Sequence, residues 1–273
     1  MTDICSQLTA MTSALLTLER HIVGITFLST QEEYKKRPAA PMRAKIAYCV
    51  AVKAAMAGKS IKLEVAFSGC NGGSRVLGFS PPSKPFRSGH LYQGFGLYQD
   101  LSVSKQVADT MTACDRPSFG ILAQPLEHYT DDVPDVVILA VDARNAMRLV
   151  QGYTYSHGSQ PLFKLTGNQA ICSECTAYPL KMERMNLSML CSGTRYLARW
   201  KDHELAIGLP FSQFAATVDG LLRTADAVEL DAAKHSIREK LLSQGLPDPN
   251  FRFGYTYYRA LEQEKARQRR QSP

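Results

Sequence analysis

The chain has 273 residues, 45% hydrophobic and 21% charged, with a formal net charge of +7. That length buries one large core or two of about 130 residues each, and the composition excludes disordered, fibrous and disulfide-dense classes. No uncharged apolar run approaches the roughly 18–20 residues that span a membrane, and the start lacks a basic segment followed by an apolar core and a cleavage site, so a soluble, cytoplasmic protein is expected.

Residues 4–20 carry Leu8, Met11, Leu15 and Leu18 on one stripe, which predicts an amphipathic helix. A short β-type run covers 22–28, and Thr30 followed by Glu33 reads as a helix N-cap. Residues 42–57 read as an Ala-rich helix that ends before Gly58 and carries Cys49. A strand over 61–67 leads into a loop holding Cys70, Gly72, Gly73 and Arg75. Pro81, Pro82 and Pro85 indicate a surface connection. Residues 90–98 mix aromatics with glycines, a composition suited either to a pocket wall or to plain packing. A helix over 102–112 and a strand over 119–123 close the first half.

The strongest strand is 136–141, a continuous apolar run of the kind buried on both faces of an α/β sheet. Asp142 caps a helix over 143–151, and residues 152–158, with His157, read as a polar aromatic loop. A strand over 163–166 precedes a helix through Cys172 and Cys175 that stops at Pro179. A strand over 187–190 ends at Cys191, which Gly193 and Arg195 follow. A strand over 204–208, a helix opened by Pro210 and a helical stretch over 224–243 come next. The charged end is expected to fray.

This order predicts an α/β, mixed-sheet protein with two pseudo-duplicated halves packed together. The halves are 1–125 and 126–250, and 251–273 is a charged C-terminal tail. Strand, Cys49, Cys70 with Gly-Gly-Ser-Arg and a later Gly-Leu align with strand, Cys172, Cys191 with Ser-Gly-Thr-Arg and Gly-Leu, at offsets of about 112 to 123 residues.

The cysteine count is odd at seven, so thiols, metal ligands or small buried residues are expected rather than bridges. Cys49, Cys70, Cys172 and Cys191 taken together suit an iron-sulfur cluster of the 4Fe-4S type, with tetrahedral zinc as the alternative. The backbone at Gly72, Gly73 and Gly193 would approach such a group or an anion. Arg75 and Arg195 would balance thiolate charge or clamp a carboxylate or phosphate, and His157 would move a proton. Buried structural cysteines and a hydrogen-bonded structural histidine are the bland readings of the same residues. Cys172 and Cys175 as a thiol-disulfide pair fit less well, because Glu174 between them opposes a thiolate.

Residues 35–62 carry Lys35, Lys36, Arg37, Arg43, Lys45, Lys53, Lys59 and Lys62 with no acidic residue. That segment steers anions or forms a solvated face; with few aromatics and no recognised motif, nucleic acid is not expected. The expected partners are a small anionic molecule or a redox partner, without a membrane, and a homodimer is the expected assembly. The expected function is redox or oxidoreductase work in small-molecule metabolism. A metal-free or zinc-containing anion-binding protein and an enzyme with Cys70 or Cys191 as nucleophile are the rivals.

A series of segments carries a family resemblance: residues 23–27, Tyr48-Cys49, Cys70 to Gly73, Leu77-Gly78-Phe79, residues 134–137, 146–155 and Gly208-Leu209-Pro210. From about residue 5 to 225 the chain resembles the archaeal and bacterial family called domain of unknown function 169. The resemblance implies that Cys49, Cys70, Cys172 and Cys191 serve one shared site. It transfers no established reaction. Two departures touch the loops: Asn71 stands where the family usually has proline, and Leu190 where it commonly has glycine.

Overall fold

A computed structural model describes residues 4–115, 117–160 and 162–271. Helix α1 (Ile4–Leu15) leads to strand β1 (Val23–Leu28), α2 (Gln31–Lys36), the short β2 (Ala40–Pro41), α3 (Tyr48–Met56) and β3 (Ile61–Glu64). Helices α4 (Asn71–Val76), α5 (Lys84–Arg87), α6 (His90–Gly94) and α7 (Leu101–Thr110) precede β4 (Gly120–Pro125). The chain continues through β5 (Val136–Val141), α8 (Ala143–His157), a π-helix (Ala170–Ala177), α9 (Tyr178–Met182), β6 (Asn186–Ser188), α10 (Ser192–Ala198) and β7 (Leu205–Pro210). Helices α11 (Phe211–Val228), α12 (Asp231–Ser243) and α13 (Tyr257–Gln271) complete it.

The strands form one mixed sheet in the order β2-β3-β4-β1-β5-β7-β6, with β2 and β3 parallel and the other neighbours antiparallel. Every residue of β1, β4 and β5 is buried, as expected of strands covered on both faces. Alternation assigns their side chains to two cores. Val23, Ile25, Ile121, Val136 and Ile138 join one with Tyr48, Ala51, Val76 and Ile171 from α3, α4 and the π-helix. Leu122, Val137, Leu139 and Ile207 join the other with Leu8, Leu149, Phe214 and Ile237 from α1, α8, α11 and α12. The fold is therefore α/β, with helices on both faces of the sheet. Strands β1 and β5 pair antiparallel at its centre, so residues 1–125 and 126–250 contribute to one continuous sheet.

Four elements depart from the sequence expectations. The helix of 42–57 starts only at Tyr48, because Met42 N–H donates to Lys62 O (3.0 Å) and Ile46 forms a β-bridge with Ser68. Residues 163–166 form no strand; Lys164 N–H is taken by the Asn186 side chain at 2.8 Å. The expected loop at 152–158 is mostly helix. There α8 runs on to His157 because Gly152 and Gly220 let it cross α11 in near backbone contact: a Cβ on Gly220 would stand 2.0 Å from Gly152 O. The helix through Cys172 and Cys175 is a π-helix, wider than α.

The charged tail holds helix α13. Thr256 Oγ1 accepts from Arg259 N–H (3.2 Å), and Glu264 accepts from Gln268 (3.2 Å) one turn on, as in an ordinary capped helix. Its last two residues lie outside the described residues.

Candidate functional site

Four short pieces of chain deliver the four cysteines that the sequence groups together. Helix α3 presents Cys49 and the π-helix presents Cys172. Cys70 and Cys191 are the N-cap residues of α4 and α10, and both caps use sulfur. Gly73 N–H donates to Cys70 Sγ at 3.4 Å, and Thr194 N–H donates to Cys191 Sγ at 3.3 Å. Each hydrogen bond runs from the third helical residue back to the cap, satisfying an N–H that the helix itself leaves open. Gly72 and Gly193 occupy the same second helical position in the two turns. A Cβ at Gly72 would lie 2.8 Å from Gln169 Nε2, so glycine permits that close approach.

The π-helix is pinned on several sides. Tyr48 and Thr176 share a buried hydrogen bond of 2.9 Å that ties α3 to it, and Thr176 donates to Ile171 O at 2.7 Å. Ser173 Oγ donates to Thr112 O at 2.6 Å. Glu174 does not line the cysteine cavity: its carboxylate accepts from Thr166 N–H (2.7 Å), Thr166 Oγ1 (3.0 Å) and Ser188 Oγ. Burial raises its pKa, and those hydrogen bonds pull the other way. Asn186 donates to Glu174 O at 2.9 Å, so β6 holds the π-helix from beneath.

Cys49, Cys70, Cys172 and Cys191 line one cavity of about 410 Å³, with Tyr48, Gly72, Gly73, Arg75, Tyr92, Gln169, Gly193 and Thr194 in its walls. Burial first, and then the neighbouring Cys191 and Cys70, push the Cys49 thiol up to about 12. Cys172 is also raised well above the ordinary thiol range, by burial first and then by Cys70, Cys191 and Cys49. Cys175, on the same π-helix, is fully buried in the core and does not line the cavity. Among the described residues, no group of three or more His, Cys, Asp or Glu side chains stands as a ready site for a metal ion. The thiols surround a space instead. A sphere drawn through four sulfurs around one zinc encloses roughly 50 Å³, several times less than this cavity.

Arg75 and Gln169 complete the polar part of the wall. Arg75 is 6% exposed, and its guanidinium carbon lies 3.2 Å from the Phe86 ring centroid. Its Nε and Nη2 have no hydrogen-bond partner. Gln169 adopts a left-handed backbone (φ 57°) at the start of the π-helix, donates from Nε2 to Tyr92 OH at 2.6 Å, and leaves Oε1 without a partner. Unsatisfied buried donors and acceptors of this kind are uncommon and mark places where a further group is expected.

Two expected site residues lie elsewhere. His157 sits at the exposed end of α8, stacked on Tyr153 with ring centroids 4.3 Å apart and its Nδ1 3.0 Å from Tyr153 O. Helix α8 packs in the other core, across the sheet from the cysteines. Arg195 does not line the cavity: its guanidinium donates to the carbonyls of Met189 (3.3 Å), Glu204 (3.2 Å) and Lys201, so it pins the chain around α10. The basic segment is partly consumed as well. Lys62 is buried and donates to Tyr34 O (2.9 Å) and Arg37 O (2.6 Å), Lys53 donates to Arg199 O (2.5 Å), and Arg37 pairs with Asp132.

Sequence reasoning missed Gln169, Tyr48 and Thr194. The only signal near Gln169 is the Gly167-Asn168 turn that precedes it. The aromatic segment of 90–98 does supply cavity walls, through Leu91, Tyr92, Phe95 and Leu97.

Residues 13–220 match the sequence model of the family DUF169, described as "Uncharacterised ArCR". An uncharacterized protein of Methanocaldococcus jannaschii, MJ0308, is 26% identical over 153 residues, which are 56% of this chain and 65% of that protein. The match thus spans less than two thirds of that relative. No solved structure matches the chain. At both departures the backbone suits the residue usual in the family rather than the one present here. Asn71 is the first residue of α4, where proline is favoured, and Leu190 has φ 68°, the region that glycine takes without strain.

Proposed function

The chain belongs to the DUF169 family, and we propose that it is a cytosolic metalloprotein whose four cavity cysteines hold an iron-sulfur cluster in redox or small-molecule metabolism. The observation that carries this reading is the lining of one cavity by Cys49, Cys70, Cys172 and Cys191, delivered by separate elements from both halves of the sequence. Burial and the neighbouring thiols both disfavour the thiolate at Cys49 and Cys172, and a cationic group between them relieves that penalty. The donor set fits: Gly73 and Thr194 N–H groups already point at two of the sulfurs, and Arg75 offers unpartnered N–H groups in the same wall. Bound there, a cluster supplies electron transfer or Lewis-acid activation. The protein's part is to orient the thiols, exclude water with Tyr48 and Tyr92, and set the charge around the site through Arg75.

The pseudo-duplicated halves belong to the same proposal. Exchanging β1 with β5, β4 with β7 and β3 with β6 maps the sheet order from β3 to β6 onto itself. In each half a helical cysteine precedes the outer strand and a sulfur-capped helix follows it. A pseudo-two-fold axis between β1 and β5 brings the equivalent loops together, which is the arrangement one shared site needs.

Anaerobic purification tests the function directly. A brown protein with thiolate-to-iron absorption supports it, and a colourless protein holding zinc shifts the reading to the zinc-bound alternative. The rival cysteine-dependent enzyme predicts rapid alkylation at Cys70 or Cys191 with loss of ligand binding.

A further inference from the structure

Arg75 and Gln169, two buried side chains in the wall of the cysteine cavity, each keep polar atoms that are sealed from solvent and have no partner among the described residues. Arg75 Nε and Nη2 form one edge of the guanidinium, the fork that takes a carboxylate through two parallel hydrogen bonds. Gln169 is 8% exposed, and its Oε1 is unpartnered. The Tyr92 hydroxyl stands between the two: it accepts from Gln169 Nε2 at 2.6 Å and also faces Arg75. Among the described residues, no acidic side chain lines the cavity to neutralise Arg75. The rest of the mouth is apolar, formed by Leu91, Phe95, Leu97 and Leu197, with Phe95 68% exposed.

We propose that this cavity binds a small hydroxy-carboxylate with an aliphatic tail. The carboxylate takes the Arg75 fork, the hydroxyl meets the Gln169 amide, and the tail lies against Phe95, Leu97 and Leu197. A hydroxyl suits Gln169 because it donates to Oε1, the end left unpartnered. One buried guanidinium edge matches the plane and charge of a carboxylate, whereas a phosphate ordinarily draws further cations or backbone N–H groups. The inference rests on the reading that the four-cysteine cavity is the functional site, and it does not depend on which metal, if any, the thiols hold.

Calorimetry on the full-length, anaerobically purified protein tests it with three probes: 2-hydroxyisocaproate, isocaproate and the neutral 2-hydroxyisocaproamide. The hydroxy acid is expected to bind best, with the deoxy acid and the neutral amide each weaker by roughly tenfold. Arg75→Met is expected to erase the preference for acid over amide, while Arg75→Lys keeps part of it. Gln169→Asn, a residue that tolerates the left-handed backbone, is expected to erase only the preference for the hydroxyl. Circular dichroism and melting confirm that each variant folds. Equal binding of acid and amide, a hydroxyl preference that survives Gln169→Asn, or no binding of any probe at millimolar concentration overturns the proposal. Iron and sulfide are measured on the same sample. Arg75-dependent binding without iron removes the cluster and leaves the ligand; iron without binding does the reverse.

Discussion

Gly208→Ala puts the attachment of the π-helix to the sheet under direct strain. Gly208 lies in the middle of β7, between Ile138 of β5 and Asn186 of β6. A Cβ there would stand 2.0 Å from Cys175 O and 2.6 Å from its Cα and C; reaching ordinary contact at 3.4 Å requires the π-helix to retreat by 3.4 − 2.0 = 1.4 Å. The obstacle is backbone, so no rotamer change relieves it. Overpacking of this kind costs about 1–3 kcal/mol, and the upper end applies here. Retreat also strains the Asn186 bond to Glu174 O. At roughly 2–4 °C per kcal/mol for a chain of this size, the melting temperature should fall by roughly 6–12 °C. Because Cys172 rides on the same π-helix, iron content after anaerobic preparation should fall with it. Gly94→Ala is the control: a Cβ there meets nothing within 4 Å, and its melting temperature should stay close to the parent's. A Gly208→Ala protein that melts within about 1 °C of the parent would refute the packing of β7 against the π-helix, and with it the support for Cys172.

Single replacements of Cys49, Cys70, Cys172 or Cys191 by serine should each abolish or sharply reduce iron binding, while Cys175→Ala should keep it and lower only the melting temperature. Metal loading should strengthen as pH rises, since Cys49 is pushed up to about 12 by burial and by Cys191 and Cys70, and binding must release its proton; competition titrations at several pH values read this, and a pH-independent affinity contradicts it. Asn71→Pro should stabilise the protein by about 0.4–1 kcal/mol in chemical denaturation, because proline is pre-organised at the first helical position and Cys70 before it is already extended (φ −123°, ψ 108°). Acid stability should depend on Glu204. Burial raises its pKa, but the bond to Arg20, the Lys201 N–H and the charges of Arg20 and Lys53 outweigh that and hold it below its ordinary value of 4.5. A depressed carboxylate contributes stability above its unfolded pKa and loses it as pH falls through the folded value. Glu204→Gln should therefore flatten the acid limb of a stability–pH curve below about pH 4.5, and an unchanged limb would remove Glu204 from the account.

Most strands were legible because they are buried on both faces and write a continuous apolar run, as in 136–141. The strand of 61–67 stops at Glu64 because Val65 to Phe67 turn as a 3₁₀ helix, a change too short to alter hydrophobic periodicity. The grouping of Cys49, Cys70, Cys172 and Cys191 was readable from their order and from the glycine and arginine that follow two of them. All four line one cavity, while among the described residues no three of them stand together as a ready metal site. The matching Arg75 and Arg195 signals were misleading as a pair. Both arginines sit four or five residues beyond a capping cysteine, yet Arg75 lies in the cavity wall with its guanidinium stacked on Phe86, while Arg195 is drawn off by three carbonyls of the chain around α10. Side-chain direction there is set by tertiary partners, which local sequence does not encode. His157 failed for a related reason: its loop-like composition hides a helix that forms because Gly152 and Gly220 allow α8 and α11 to touch. Gln169 was invisible, since its role depends on a left-handed turn and on Tyr92, which lies 77 residues earlier.

The most direct test of the central claim is iron and acid-labile sulfide content per chain in protein prepared without oxygen. The four-cysteine cavity predicts both, at about four of each for a complete cluster, and predicts that both vanish together when any of Cys49, Cys70, Cys172 or Cys191 becomes serine. A well-folded protein that holds neither iron nor sulfide under those conditions contradicts it.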